Sequence, residues 1–385
     1  MTRPPIVNTH VHLPPNFSAF TTVADAIQTA LAEGVRAIGI SNFYDQQVYR
    51  QFADQAAEAG IVALYGLEFI TVVADLEASG TRINDPANPG RMYVCGKGID
   101  PFRERSAEAA ATAAEIRQGN DARAQQMLAK LSSHFQAAGL PIGLDAAEVI
   151  QAVATRGEVP TAWVSLQERH IAQAVEEAIS VLPKQQRASL LERAYGAPAT
   201  ANLEDPAAMQ AEIRSRLLKT GRPGFAPEVP LTFETAYRYV LDMGGIPCYP
   251  TLADGADPVC PFEEPPAELA QRLRERGIAL AELIPIRNRS AVVDQYVRAF
   301  AEAGIEVVAG TEHNTVDRIA YDPSCIDGPI SAASRQACYE GTCIIAAHQA
   351  RVATGQPGFV DSSGARAADR DQLVAEGRAI IEGAA

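Results

Sequence analysis

From residue 6 onward, short apolar runs alternate with segments of helical period, and that alternation leaves few architectures open to the chain. "PIVNTHVH" reads as a first strand, residues 23–33 as a helix, "VRAIGISNF" as a second strand, 46–59 as a helix and "IVALYGLEFITVV" as a third strand. A loop rich in Gly, Pro and Asn follows, "NDPANPGRMYVCGKGIDPF", and then the rhythm stops. Residues 104–222 are nearly all helix formers, with Ala, Glu, Gln, Leu and Arg dominant, and read as a helical insertion. Strand signals return at "GGIPCYPTL", "IALAELIPI" and "GIEVVAGTEH", separated by helical patterns, and the tail from 329 is again helical apart from "GQPGFVDSSG". No GxGxxG turn follows the first strand, so a dinucleotide-binding sheet is not the expectation.

At 385 residues the chain exceeds the roughly 100 to 200 residues of a usual domain, which allows one large α/β domain with an insertion or two domains. The net charge of −14 argues against a broad basic surface for duplex nucleic acid, though a local basic pocket stays open. Six cysteines form no CxxC pair, and "MTRPPIVNTH" lacks the apolar core of a signal peptide, so reduced thiols in the cytoplasm are expected. No run approaches the ~20 apolar residues of a membrane span.

The acid and imidazole positions narrow the chemistry. Residues i and i+2 of a strand share a face, so His10 and His12 present two imidazoles to one point. Glu68 is expected at the carboxyl end of the third strand, after "LYGL", and Glu312, His313 and Asn314 follow the last clear one. In a parallel α/β barrel, function collects where strands end at their carboxyl termini. Imidazoles and carboxylates arriving from separate strand ends suit a divalent Zn, Mn or Fe ion. His170 lies near the start of an amphipathic helix, beside Arg169, where an anion could be met. Arg91, Lys97 and Arg287 follow strands and are further candidate cations for a substrate. "NPGRMYVCGKGID" is no phosphate loop, because its spacing differs from GxxxxGK and Gly follows the lysine. His134 and His348 sit in helical patterns without ligand-like neighbours and are expected to be structural.

At these positions the chain resembles the polymerase and histidinol phosphatase (PHP) superfamily of metal-dependent phosphoesterases. The resemblance spans about residues 1–100 and 228–320. His10 and His12 match the opening HxH strand, Gly66 and Glu68 the Gly-x-Glu after strand three, and "GTEHN" at 310–314 the terminal Gly-Ser-Asp-x-His. "ERHIAQAV" at 168–175 is similar to the Arg-Pro-His-Ile-Ala-Arg-Ala segment of members with a helical insertion. The chain departs at two places: "SNF" puts Asn42 and Phe43 where Thr-Asp-His is usual, and "CYP" puts Tyr249 and Pro250 in the place of Ala-His-Pro.

The resemblance implies a distorted (β/α)7 TIM-like barrel, residues 1–100 and 228–385, with residues 101–227 forming a helical cap over its carboxyl face. It implies His10, His12, Glu68, Glu312 and His313 as metal ligands for one or two divalent ions. Glu68, Asn42 and His313 become the catalytic candidates, and Arg169, His170, Arg91, Lys97 and Arg287 the substrate-binding ones. The implied activity is a metal-dependent hydrolase acting on a small phosphate ester. The alternative is a barrel of this type that acts on another small polar substrate, such as a sugar acid or amide, or only binds a ligand. Helical patterns in the insertion and tail leave self-association open.

Overall fold

The computed structural model describes residues 3–140 and 142–383. The first half of the barrel contains β1 (Ile6–Val11), α1 (Val23–Ala32), β2 (Val35–Ile40), α2 (Tyr49–Glu58), β3 (Val62–Val72), the short α3 (Ala74–Ala78) and β4 (Arg91–Lys97). The helical stretch comprises α4 (Ala107–Ala137), α5 (Ala146–Gly157), α6 (Glu168–Ser180), α7 (Lys184–Tyr195) and α8 (Pro206–Ile213). The barrel resumes with the two-residue β5 (Leu231–Thr232), then α9 (Phe233–Asp242), β6 (Ile246–Thr251), α10 (Pro266–Glu275), β7 (Leu280–Leu283), α11 (Ser290–Glu302) and β8 (Glu306–Ala309). Two helices, α12 (Ala332–Ala353) and α13 (Arg370–Gly383), complete the chain as described.

Seven strands lie in the order β1-β2-β3-β4-β6-β7-β8, with β5 appended to β3. Backbone bonds between His10 and both Thr311 and Glu312 bring β1 against the chain leaving β8, so the sheet curls into a nearly closed barrel. Side chains that alternate along each strand fill the interior on one side and pack under the helices on the other. Gly310 permits this approach: a Cβ there would stand 2.2 Å from that of His10.

One segment departs from the sequence expectation. Residues 91–97, read as part of a loop, form β4, which runs antiparallel to both β3 and β6. Met92 and Val94 point into the core beneath the helices, a period-2 pattern that the flanking Gly, Pro and Asn residues conceal. The reversal of direction decides where its charges go. Arg91 pairs with Val72 at the carboxyl end of β3, whereas Lys97 lies opposite Gly66 and Ile246, deeper in the barrel.

The helical stretch has a hydrophobic cluster drawn wholly from residues 124–226, in which Met127, Leu131, Phe135, Ile171, Ile213 and Leu217 are fully buried. Ser106 caps α4 by accepting the Ala109 N–H, and at 31 residues that helix runs about 46 Å. Its first turns join the barrel's own cluster through Ala109, Ala113 and Ile116, while its later turns supply Leu128 and Leu131 to the separate one. The helix therefore links two cores.

The apolar segment "GTCIIAAHQARVA" lies within α12, which packs on β8 and α13. Gly341 permits this contact, since a Cβ there would fall 2.0 Å from the Val307 carbonyl oxygen. Among the described residues no helix is long and apolar enough to cross a membrane. His134 and His348 serve packing: each donates Nε2–H to a backbone carbonyl, Ala194 and Gly244 respectively.

Candidate functional site

The strand geometry that sets His10 and His12 on one face is realised at the end of β1. His10 Nε2 and His12 Nε2 are 3.3 Å apart, and Glu68 Oε2 from the middle of β3 stands 3.7 Å from the first and 3.3 Å from the second. All three side chains are buried. Nitrogen and oxygen ligands about 2.1 Å from a tetrahedral ion stand about 3.4 Å from one another, so these three donor atoms fit the corners around one divalent cation. The two histidines hold the Glu68 carboxyl down to about 2 against the opposing effect of burial.

A residue that the sequence reading passed over holds this cluster in place. Glu282, in the middle of β7, accepts from His10 Nδ1 at 2.6 Å, from Thr9 Oγ1 at 2.7 Å and from Lys97 Nζ at 2.8 Å. Burial favours its neutral form, but Lys97 and His10 override this and hold its carboxyl down to about 2. A carboxylate behind the far nitrogen of a histidine sets its tautomer and leaves the near nitrogen's lone pair free for a metal. Burial likewise opposes charge on His10, and Glu282 outweighs it, raising the imidazole to about 9. The signal was a lone carboxylate inside the apolar run "IALAELIPI". His12 lacks such a brace: its Nδ1 is buried without a hydrogen-bond partner, and the Phe43 ring stacks on it at 5.1 Å.

Above the cluster lies a cavity of about 420 Å3 between the carboxyl ends of the strands and the helical stretch. Glu68, Phe43, Ile284 and Glu312 form part of its barrel wall. Across it stand Arg123 of α4, Arg169 of α6, and Arg214 and Lys219 beyond α8. Glu168 accepts from Arg214 at 2.8 Å and pairs with Lys219 at 2.9 Å, and Glu228 pairs with Arg123 at 3.0 Å. Arg169 differs from the others. It makes a long 3.5 Å bond to Asn314 Oδ1, and burial together with the neighbouring Arg214 pushes its guanidinium down to about 10. A desolvated cation of this kind gains more from an anionic partner than an exposed one does.

The remaining candidates are placed elsewhere or held by other partners. Glu312 and His313 both adopt left-handed backbone, at φ 65° and 50°, and this double turn sends successive side chains to different sides. Glu312 faces the cavity, where it is bound by Arg287 and by Asn314 Nδ2 at 2.7 Å. His313 turns into the core against Phe20 and Tyr321, with Nδ1 on Thr311 Oγ1 and Nε2 donating to the Ile319 carbonyl, so both nitrogens are engaged away from the cluster. Asn42 spends its amide on Leu13, accepting from its N–H and donating to its carbonyl, and so extends the β1–β2 pairing. His170 accepts the Gln167 N–H through Nδ1 as a helix cap and packs on Phe17 instead of lining the cavity. Lys97 is inside the barrel at 2% exposure, and Arg91 pairs with Glu77 outside the cavity. Arg287 does line it, already paired with Glu312. Tyr249 points away into the core, where its hydroxyl donates to Glu263 at 2.9 Å. Arg123, Arg214 and Lys219 went unmarked because cations on helices are ordinary surface residues in a sequence.

Three of the buried histidines share one requirement. Nδ1 of His170, His313 and His348 accepts a hydrogen bond, and burial pushes their pKa values down to about 3, 4 and 4. The unfolded chain, with histidines near 6.5, takes up these protons first. Their contribution is therefore intact above pH 6.5 and lost as pH falls toward 4. The melting temperature is expected to drop across that interval, and His348→Gln should flatten the decline in a calorimetric pH series.

No family profile matches the chain, and neither does any curated protein. Solved structures do match. One is an amidohydrolase from Chromobacterium violaceum, solved with bound sulfate and no metal, with a TM-score of 0.55 and 17% identity over 80% of this chain and 87% of the other. Another is assigned as a metal-dependent phosphoesterase from Bifidobacterium adolescentis, with a TM-score of 0.59 and 14% identity over 87% of this chain and 96% of the other. At such identities the likeness is one of fold: this chain shares the barrel architecture of those two hydrolase structures.

Proposed function

We propose that the protein is a metal-dependent hydrolase of the PHP type that cleaves a small anionic substrate, most simply a phosphate ester. The observation that carries this reading is the convergence of His10 Nε2, His12 Nε2 and Glu68 Oε2 beneath a cavity whose opposite wall bears Arg123, Arg169, Arg214 and Lys219. Bound there, a divalent ion would supply Lewis acidity and activate water near neutral pH. The chain's own residues do the rest. Glu282 keeps the His10 Nε2 lone pair aimed at the ligand position, and Phe43 covers His12 against bulk water. Residues 101–227 act as the cap, and from it Arg169 receives the substrate's charge.

A second reading, a barrel of this type that acts on a non-phosphate small polar substrate such as an amide or sugar acid, or only binds a ligand, is favoured by the donor set. Phe43 and Tyr249 stand where the PHP pattern has ligands, and His313 is turned away, so metal donors are fewer than a phosphoesterase of that type would offer. Zinc- or manganese-loaded protein assayed on phosphomonoesters, phosphodiesters and nucleotide bisphosphates, beside amides and sugar acids, separates the two. Turnover of none would refute both hydrolytic readings. With any substrate found, Arg169→Ala is expected to lower kcat/KM by roughly tenfold or more, mainly through KM, at unchanged metal content. Wild-type kinetics would remove Arg169 from substrate binding.

A further inference from the structure

The barrel interior beneath the His10–His12–Glu68 cluster contains a second convergence of metal-type donors, His10, Cys95 and Glu282. Each is committed within the protein. His10 Nδ1 is bonded to Glu282 Oε2, and Cys95 Sγ lies 4.0 Å from the same oxygen, where burial drives the thiol toward its protonated form. Glu282 Oε1 is shared by Thr9 and Lys97. Lys97 Nζ reaches three acceptors at once, the Thr9 carbonyl at 2.8 Å, Ser41 Oγ at 2.9 Å and Glu282 Oε1 at 2.8 Å. Three acceptors, one of them a carboxylate, match the three N–H groups of an ammonium.

Charge counting leads the same way. Glu68 and Glu282 are the carboxylates at these two clusters, and Lys97 offsets one of them. One divalent ion then leaves a single positive charge in excess, whereas a second would leave three among side chains that are all buried, which is strongly unfavourable. Glu312, the other acid near the cluster, is already neutralised by Arg287.

Resting on the metal reading above, we propose that the barrel is built for one divalent ion per chain, with Lys97 standing on Glu282 as an internal cation that keeps a second ion out. Lys97 is thus a positioning residue, acting on the metal site through Glu282 and His10. The number of ions is decided by the chain's own ammonium.

Metal-free protein equilibrated with excess zinc or manganese, dialysed and analysed by mass spectrometry, should retain one ion per chain, with the same stoichiometry in calorimetric titration. Two ions per chain would overturn the proposal. No bound ion would refute the metal reading itself, a separate failure. Lys97→Met keeps the length of the side chain and removes its charge, so the variant should bind zinc roughly tenfold more tightly, its repulsion of the ion being lost. Equal affinity in the two proteins would make Lys97 a packing residue and overturn its role. If Lys97→Met does not fold, the wild-type stoichiometry still decides the number of ions.

Discussion

Glu68→Gln is expected to give a folded protein with less than about one-tenth of the wild-type metal content and no measurable hydrolysis. The substitution keeps the shape of the side chain and removes the only anionic donor among the three clustered ligands. Divalent ions are held by deprotonated ligands, and a neutral amide beside two imidazoles is a poor substitute. The fold should survive because the barrel is held by apolar strand and helix faces, such as Ile38, Ile40, Phe52 and Leu67, to which Glu68 adds little. In the metal-free form the two histidines lose a buried carboxylate partner at 3.3 and 3.7 Å, so its melting temperature should fall below that of metal-free wild type while the protein stays folded. Elemental analysis and circular dichroism on the same preparation check both halves. A variant with full metal content would remove Glu68 from the site and with it the metallohydrolase reading.

Glu282→Ala is expected to affect stability more than any ligand substitution. It deprives Lys97 of its counter-charge at 2% exposure and frees the His10 ring from its partner. Removing one member of a buried ion pair typically costs about 3–5 kcal/mol, since the remaining charge stays desolvated. Metal affinity should fall about 10- to 100-fold through the loss of the carboxylate behind His10. Urea denaturation and zinc titration read the two effects separately. Adding Lys97→Met to Glu282→Ala should recover much of the stability, because the orphaned charge goes with it, while metal affinity stays reduced. Stability equal to wild type in the single variant would show that Lys97 is not held by Glu282.

Much of the architecture was legible along the chain because strand and helix periods are local properties. The runs around Ile6, Val35 and Val62 and those at 246, 280 and 306 become strands where the apolar pattern places them. β4 was hidden because one edge of "RMYVCGK" abuts glycine and proline, and its strand character comes from seven residues of pairing with β3. Glu282 was hidden for a related reason. A carboxylate in an apolar strand has a meaning only when Lys97, His10 and Thr9, as much as 273 residues away, are known to surround it.

His10 and His12 could be paired from sequence because the i, i+2 geometry of a strand is set by backbone chemistry alone, whereas Glu68, expected at a strand end, lies within β3, which runs on to Val72 to pair with β4. Glu312 and His313 could not be told apart in this way. Which of two adjacent residues faces a cavity depends on backbone dihedrals, and here two left-handed residues in succession, stabilised by packing of His313 on Phe20 and Tyr321, make the choice. The direction of β4 decides in the same manner that Lys97 becomes an internal cation and not a substrate ligand. Local pattern therefore determined the βα rhythm and the histidine pair, since both depend on neighbours in the chain. The partners of each charge were decided only by the closed barrel, because a buried charge is defined by groups that meet it from distant strands.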